Sequence, residues 1–341
     1  MTVGARLLIV GNPGEEHIGS HLLDAAWDLG CHAELLDVTT AQAGPAWRRK
    51  LFWHLMGHRP ANLGRFNRQL LERCASFRPD IVLVTGIAPV MGESLRAIRR
   101  LGVATADYLT DDPWNPANSA RHFWSALSQF DWIFSPRHAA IPDLRAFGCR
   151  QVEYLPFAYH PAIHFLEPPP TEEIRLRYAC ELAIIGGADR HRIPLAEAAI
   201  ESGLAVALYG GYWNKSHECR PRWRGFVHGR ELRWAASTAT VNLVMGRKAN
   251  RDGHAMRSYE VPAMGGAMVV EDTADHRVLF GAEGEAVLYY ASVDEMIGKV
   301  RALARDSNRA SVMARRARMR VTRGANTYRD RLASILERLG R

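Results

Sequence analysis

Long apolar runs are missing from this 341-residue sequence. No stretch approaches the roughly 20 apolar residues that a bilayer-spanning helix needs. The first apolar run, residues 7–10, is too short for the core of a signal peptide. We therefore expect a cytoplasmic protein, with a peripheral position at the inner membrane face left open.

Cysteine is also scarce, with five widely spaced residues and no Cys-x-x-Cys pair. This pattern is typical of reduced thiols and predicts no zinc site. The sequence also lacks a Gly-x-Gly-x-x-Gly fingerprint and a Walker loop, so it predicts no dinucleotide cofactor and no P-loop. We expect neither a metal nor a cofactor.

Positive charge is in excess, with 44 Lys and Arg against 36 Asp and Glu. Most of the excess is Arg, whose planar guanidinium suits phosphates and carboxylates. An anionic substrate, an acidic membrane or a nucleic acid would each explain the bias, and so would a basic solvated surface.

Strand and helix patterns alternate along the whole chain, which predicts an α/β fold with parallel sheets. The predicted strands are residues 6–10, 33–38, 80–86, 103–109, 132–135, 152–155, 181–187, 205–211, 240–244, 267–270 and 286–290.

Prolines interrupt this alternation near the middle of the chain, with three in a row at 168–170. Because a Pro-rich stretch reads as a stiff linker, we predict two doubly wound, Rossmann-like domains. The predicted divisions are an N-terminal acceptor domain (1–165), a linker (166–179), a donor domain (180–325) and a C-terminal helix (326–341) that packs back on the N-terminal domain.

A glycine turn follows the first strand of the second half. Gly186 and Gly187 permit close backbone approach to a ligand, and a helix start favours anions. Arg190 and Arg192 would reach a diphosphate as forks. The alternative is a plain strand-to-helix turn.

Residues 252–270 predict a short helix, a Gly-Gly turn and a buried strand. Arg257 and Glu260 are three residues apart and therefore share a helix face. The carboxylate would accept ribose hydroxyls and the guanidinium would neutralise phosphate, whereas the alternative is an ordinary surface ion pair.

Residues 257–266 resemble the "R-x-[FY]-E-x-x-A-x-G" signature of the CgeB-like (spore maturation protein) glycosyltransferases. Four further segments resemble motifs of this family and occur in the same order. They are the strand and glycine turn at 184–187, "YG-x-x-W" at 209–213, "LN" at 240–243 and the closing stretch at 314–331. The resemblance implies a GT-B fold and a nucleotide-sugar donor. Asp252 stands where related enzymes have a first Glu, and Asn326 where the family often has His.

The resemblance and the residue chemistry together predict a metal-independent glycosyltransferase that uses a UDP-, dTDP- or GDP-sugar. Arginine forks and a helix start would meet the charge that develops on the diphosphate. The predicted donor-binding residues are Gly186, Gly187, Arg190, Arg192, Tyr209, Gly210, Trp213, Asn242, Asp252, Arg257, Glu260, Gly265 and Gly266.

The N-terminal half should bring the acceptor, a hydroxyl of a glycan, natural product or protein, together with a general base. Glu16 and His17 follow the first strand, and Asp111 and Asp112 follow the fourth. All four are candidate catalytic residues. His138 and His160 are lesser candidates, for which a structural role is the alternative.

Residues 47–56 mix cations with large apolar groups. Such a helix either lies on an anionic membrane or packs on the sheet with a basic outer face. The arginines near 315–320 predict a solvated helical face.

Three alternatives to transfer remain. A sugar-nucleotide epimerase would use the same fold, and a catalytically inactive scaffold would only bind a partner. A basic nucleic-acid-binding protein would show steep salt dependence, but no nucleic-acid motif is present in the sequence.

Overall fold

The computed structural model describes residues 4–340. The chain forms two compact units, each described by itself. The first comprises Met1–Pro156, Ala249–Asp252 and Tyr328–Arg341, and the second comprises Phe157–Lys248 and Gly253–Thr327. The chain therefore leaves the first unit after Pro156 and re-enters it twice.

The first unit is built on a six-stranded parallel sheet in the order β2-β1-β3-β4-β5-β6. Its strands are β1 (Arg6–Gly11), β2 (His32–Asp37), β3 (Ile81–Thr85), β4 (Ala104–Tyr108), β5 (Trp132–Ser135) and β6 (Gln151–Tyr154). Its helices are α1 (Ile18–Asp28), α2 (Ala46–Leu55), α3 (Leu63–Phe77), α4 (Gly92–Arg100), α5 (Arg121–Leu127) and α6 (Ala140–Ala146), with a 3-10 turn at Val38–Gln42.

The second unit contains a five-stranded parallel sheet in the order β11-β10-β9-β7-β8. Its strands are β7 (Leu182–Ile185), β8 (Val206–Tyr209), β9 (Val241–Val244), β10 (Met268–Glu271) and β11 (Leu288–Tyr290). Its helices are α7 (Glu172–Tyr178), α8 (Arg192–Glu201), α9 (Gly229–Thr238), α10 (Arg257–Ala263), α11 (Ala274–Phe280), α12 (Val293–Arg305) and α13 (Ser307–Thr322).

The last helix, α14 (Tyr328–Arg338), belongs to the first unit. It packs along α1, where the rings of His21 and Tyr328 stack with centroids 4.9 Å apart. The Arg331 side chain donates a hydrogen bond of 2.8 Å from Nε to the carbonyl oxygen of Pro156. The end of the chain is thus anchored beside the end of the first sheet.

Both sheets are buried on two faces, as continuous apolar strands require. In the central strands β1 and β3, residues 7–10 and 81–84 are fully inaccessible to solvent, and all of β7 is buried. The α/β class with two Rossmann-like parallel sheets is confirmed, and each predicted strand lies within two residues of an observed one.

Helix α2 departs from the packed-helix interpretation. None of its residues is buried. Of the two alternatives for this helix, packing of its apolar side chains on the sheet is not observed: Trp47, Leu51 and Leu55 are exposed, and Phe52 is half-buried. Among residues 4–340, no helix combines the length and the apolar character needed to cross a bilayer.

Candidate functional site

The glycine turn after β7 is built by close backbone packing. Gly186 has φ +150°, and its carbonyl accepts a 2.8 Å hydrogen bond from the indole of Trp213. A Cβ at Gly210 would lie 2.7 Å from the carbonyl carbon of Gly186, so any side chain there would force the turns after β7 and β8 apart. The turn after β7 leads directly to α8.

Arg192 is the first residue of α8 and points back over this turn. Its Nη1 donates to the Gly187 carbonyl at 2.9 Å, and its Nε lies 3.7 Å from Asp189 Oδ2. Burial lowers the pKa of Arg192; Asp189 opposes this, while the like charges of Arg247 and Arg257 lower the pKa further. Arg192, Arg247 and Arg257 all lie beyond the carboxyl ends of β7 and β9, close enough for the two other charges to act on Arg192, and an anion there would relieve their repulsion.

Arg257 and Glu260 form an ion pair across one turn of α10. The Glu260 side chain is only 1% exposed, and its Oε1 lies 3.8 Å from Nε2 of His164. A buried carboxylate with a partly exposed guanidinium partner is not an ordinary surface pair. The prediction that these two side chains share a helix face is confirmed.

A buried series of hydrogen bonds holds helix α10 in place. Ser258 and the His276 Nε2 are 2.8 Å apart, and the His276 Nδ1 is 2.7 Å from the Glu271 carbonyl. Burial lowers the pKa of His276, so the neutral ring donates to the carbonyl and accepts from the serine hydroxyl. These hydrogen bonds fix the helix that carries Arg257 and Glu260.

Arg247 was missed by the sequence analysis. It follows β9 by three residues, at the same sheet edge as Gly186 and Gly210. The available signal was a cation just beyond the carboxyl end of a buried parallel strand, where ligands bind in such sheets.

Several residues predicted to bind the donor make packing or hydrogen-bond contacts within the second unit. Tyr209 and Trp213 are buried in the core, and burial raises the pKa of Tyr209 to about 12. The Asn242 amide donates to the Ala236 carbonyl at 2.9 Å. Gly265 has φ +87°, and a Cβ there would lie 2.7 Å from the Leu166 side chain.

Gly266 and Arg190 complete this set. A Cβ on Gly266 would lie 2.6 Å from the Asn242 amide nitrogen, so glycine is required by packing. Arg190 is exposed and donates to the ring of His191 at 3.1 Å. Their roles in donor binding stay predictions.

Two exposed aromatics lie beside the glycine turns and were not predicted. Tyr212 is 63% exposed and Phe226 is 61% exposed. The Phe226 ring lies 3.4 Å from the position a Cβ would take on Gly211. These rings, rather than the buried Tyr209 and Trp213, are accessible to a stacking ligand.

In the first unit, Asp112 and Asp252 bind the backbone and neighbouring side chains. Asp112 is 1% exposed, accepts from the Trp114 N–H at 3.0 Å and pairs with Arg251. Asp252 accepts from the Ala139 N–H at 2.7 Å. These contacts tie residues 249–252 to the loops after β4 and β5.

Asp111 lies differently from its neighbour, because it lines a pocket of about 450 Å³. Its Oδ1 accepts a hydrogen bond of 3.1 Å from the Asn250 amide. Burial lowers the pKa of His122, on the pocket wall, to about 4. The pocket is otherwise largely apolar, with walls that include Trp53, His58 and Ile87.

The remaining candidates lie outside the lining of this pocket. His17 precedes α1 and donates its backbone N–H to the Gly14 carbonyl at 2.9 Å, with Glu16 beside it. The His138 ring stacks on Tyr154 with centroids 3.7 Å apart. In the second unit, the His160 backbone N–H donates to Nδ1 of His164 at 3.0 Å. Their catalytic roles stay predictions.

Comparison with known families places the arginine cluster in a recognisable context. Residues 190–337 match the model of a family described as "Glycosyl transferase-like". The match contains Arg192, Arg247, Arg257 and Glu260. A search of curated protein sequences found no match.

Solved structures similar to the chain share its fold over nearly its full length. Sucrose-phosphate synthase from Thermosynechococcus elongatus is 13% identical, with a TM-score of 0.70 and coverage of 98% of both chains. Anabaena HepE in complex with UDP and glucose is 11% identical, with a TM-score of 0.66 over 98% of this chain and 99% of that one. An E. coli structure described as "Trehalose-6-phosphate" bound with UDP-2-fluoro glucose is 13% identical, with a TM-score of 0.65 over 98% and 99%.

These neighbours define the class of the fold. The chain has the GT-B fold, with two parallel-sheet, Rossmann-like domains. The family match and the fold together support a glycosyltransferase. The resemblance to the CgeB-like subfamily stays a prediction.

Proposed function

We propose that this protein transfers a sugar from a UDP-sugar to an acceptor hydroxyl, with arginine side chains in place of a metal ion. The observation that carries the proposal is the convergence of Arg192, Arg247 and Arg257 at the carboxyl edge of the second sheet. Two like charges, Arg247 and Arg257, act on the largely desolvated guanidinium of Arg192 beside Asp189, and a bound anion would offset their repulsion further.

The diphosphate of a nucleotide sugar is such an anion. When the sugar–phosphate bond breaks, negative charge develops on the diphosphate, and fixed guanidiniums stabilise it without rearranging. Arg192 is held by the Gly187 carbonyl and Arg257 by Glu260. Both forks are thus oriented before the donor arrives.

Glu260 then has two tasks. It keeps Arg257 directed at the diphosphate, and it offers carboxylate lone pairs to a donor hydroxyl. Its burial favours this, because a hydrogen bond to a carboxylate is stronger where water does not compete.

The exposed rings of Tyr212 and Phe226 supply an apolar wall for the nucleobase of the donor. The Anabaena and E. coli neighbours carry UDP or a UDP-sugar analogue in their structures. These ligands support a uridine donor over the dTDP and GDP alternatives.

The acceptor is assigned to the pocket of the first unit. Asp111 is the general base in this proposal, because it lines the pocket, whereas Asp112 is 1% exposed and is not part of the lining. A carboxylate that accepts the hydroxyl proton makes the oxygen a better nucleophile.

The test has two stages. A thermal-shift screen with UDP-, dTDP- and GDP-sugars identifies the donor, since a ligand that binds only the native state raises Tm. Mass spectrometry with an acceptor panel then measures transfer and release of the nucleoside diphosphate. Isomerised donor without transfer would favour the epimerase, and no shift with any nucleotide sugar would overturn the proposal.

A further inference from the structure

Helix α2 presents large apolar side chains to solvent. Trp47 is 68% exposed, Leu51 45% and Leu55 75%, and these residues recur every four positions along one face. No residue of the helix is buried in the protein. Exposing large apolar side chains to water is unfavourable, and a patch of this kind marks a surface that binds a protein or a membrane.

The charge around this face has one sign. Between Asp37 and Glu72 the sequence contains six Arg or Lys residues and no Asp or Glu. Arg49 and Lys50 are exposed on α2 itself. Apolar side chains beside exposed cations match the interface of an anionic bilayer, where acyl chains lie beneath acidic headgroups.

We propose that α2 docks this protein on an anionic membrane surface. A nucleic acid would engage the cations but leave Trp47, Leu51 and Leu55 in water, and it is therefore the less favoured partner. The docked helix lies in the interface plane, with its apolar face among the acyl chains.

The same helix contributes one residue, Trp53, to the lining of the pocket that contains Asp111. Trp53 of α2 stacks on His58 with centroids 4.3 Å apart, and both rings line the pocket. Docking would therefore place this pocket, to which α2 contributes Trp53, close to the lipid surface. Resting on the proposed function, this assigns the acceptor to a class: an amphiphile held in the membrane, with its hydroxyl exposed at the headgroup level.

Binding of the full-length protein to phosphatidylcholine vesicles, with and without phosphatidylglycerol, tests the docking surface. We expect co-sedimentation only with the anionic vesicles, and weaker binding as salt is raised. The variant Arg49→Glu/Lys50→Glu should bind at least about tenfold less tightly, given the contribution of each cation near such a surface. Trp47→Ser/Leu55→Ser should also lose binding while keeping its Tm, because both side chains are exposed.

Matched variants distinguish binding by this surface from a general effect of net charge or of exposed apolar side chains. Arg315→Glu/Arg329→Glu makes the same charge change on exposed positions of α13 and α14, and Leu176→Ser/Val278→Ser removes two equally exposed apolar groups elsewhere. Both controls should bind vesicles like the wild type. Equal losses in the controls, or binding of a DNA duplex but not of vesicles, would overturn the proposal.

Donor binding is measured on the same variants. A UDP-sugar thermal shift that persists while vesicle binding is absent refutes the membrane surface alone. Vesicle binding without any nucleotide-sugar shift refutes the proposed function alone.

Discussion

The guanidinium of Arg257 pairs with the carboxylate of Glu260 one turn further along α10, and the carboxylate is almost completely buried. Another pair with the same spacing, Glu172 and Arg175 in α7, is exposed on both sides. Identical spacing therefore produces two different electrostatic environments in the same unit. The contrast provides a matched control for the first prediction.

Glu260→Gln should weaken donor binding without unfolding the protein. The amide keeps the shape of the side chain but leaves Arg257 without its anionic partner, so we expect a loss of about 1.5–3 kcal/mol in donor affinity. The thermal shift with UDP-sugar measures it. Glu172→Gln should leave the shift intact, because exposed pairs contribute little; equal effects in the two variants would remove Glu260 from the site.

Arg247→Ala should separate ligand binding from stability. Removing one of three converging cations relieves repulsion at Arg192, so the Tm without ligand should stay unchanged or rise. Donor affinity should fall roughly tenfold to a hundredfold, as for loss of a charged hydrogen bond. Titration calorimetry gives the affinity, with the exposed Arg220→Ala as the control; undiminished affinity in Arg247→Ala would exclude a diphosphate contact.

The adjacent acids Asp111 and Asp112 should respond in opposite ways. Asp111→Asn should reduce kcat strongly with little change in Tm, because it removes the proposed base from the pocket. Asp112→Asn should cost roughly 1–3 kcal/mol of stability through its pair with Arg251. Denaturant unfolding and steady-state rates measured on both variants check this, and a reversed pattern would transfer the base role to Asp112.

Asp107 should make stability depend on pH. It lies in the middle of β4, and neither carboxylate oxygen has a hydrogen-bond partner within residues 4–340. Burial raises the pKa of Asp107 well above its ordinary value. The folded chain thus holds a proton that the unfolded chain releases above about pH 4, so stability falls as pH rises from there through the folded pKa.

Asp107→Asn should remove this dependence and raise Tm more at pH 8 than at pH 5. Thermal unfolding across that range measures the difference. The exposed Asp28→Asn should change Tm equally little at both values. If the Tm of the wild type rose from pH 5 to pH 8, and that of Asp107→Asn did not, the prediction would be contradicted.

The sequence by itself determined the secondary structure and the fold class. Apolar runs such as residues 7–10 and 182–185, separated by helices that glycines terminate, leave a doubly wound parallel sheet as the solution that buries them. It also placed Arg257 and Glu260 correctly on one helix, because a three-residue spacing within one helix is a local property.

Only the tertiary structure decided which of these side chains meet. Arg192 follows β7, whereas Arg247 and Arg257 both follow β9. Their proximity depends on β7 and β9 lying side by side in the second sheet, which no local pattern encodes. The same holds for Asp111 and Asp112: adjacent in sequence, they differ because Asp112 is buried in an ion pair with Arg251, whereas Asp111 accepts from Asn250 and lines a pocket. Long-range packing assigns burial, and burial sets the chemistry of an ionisable group.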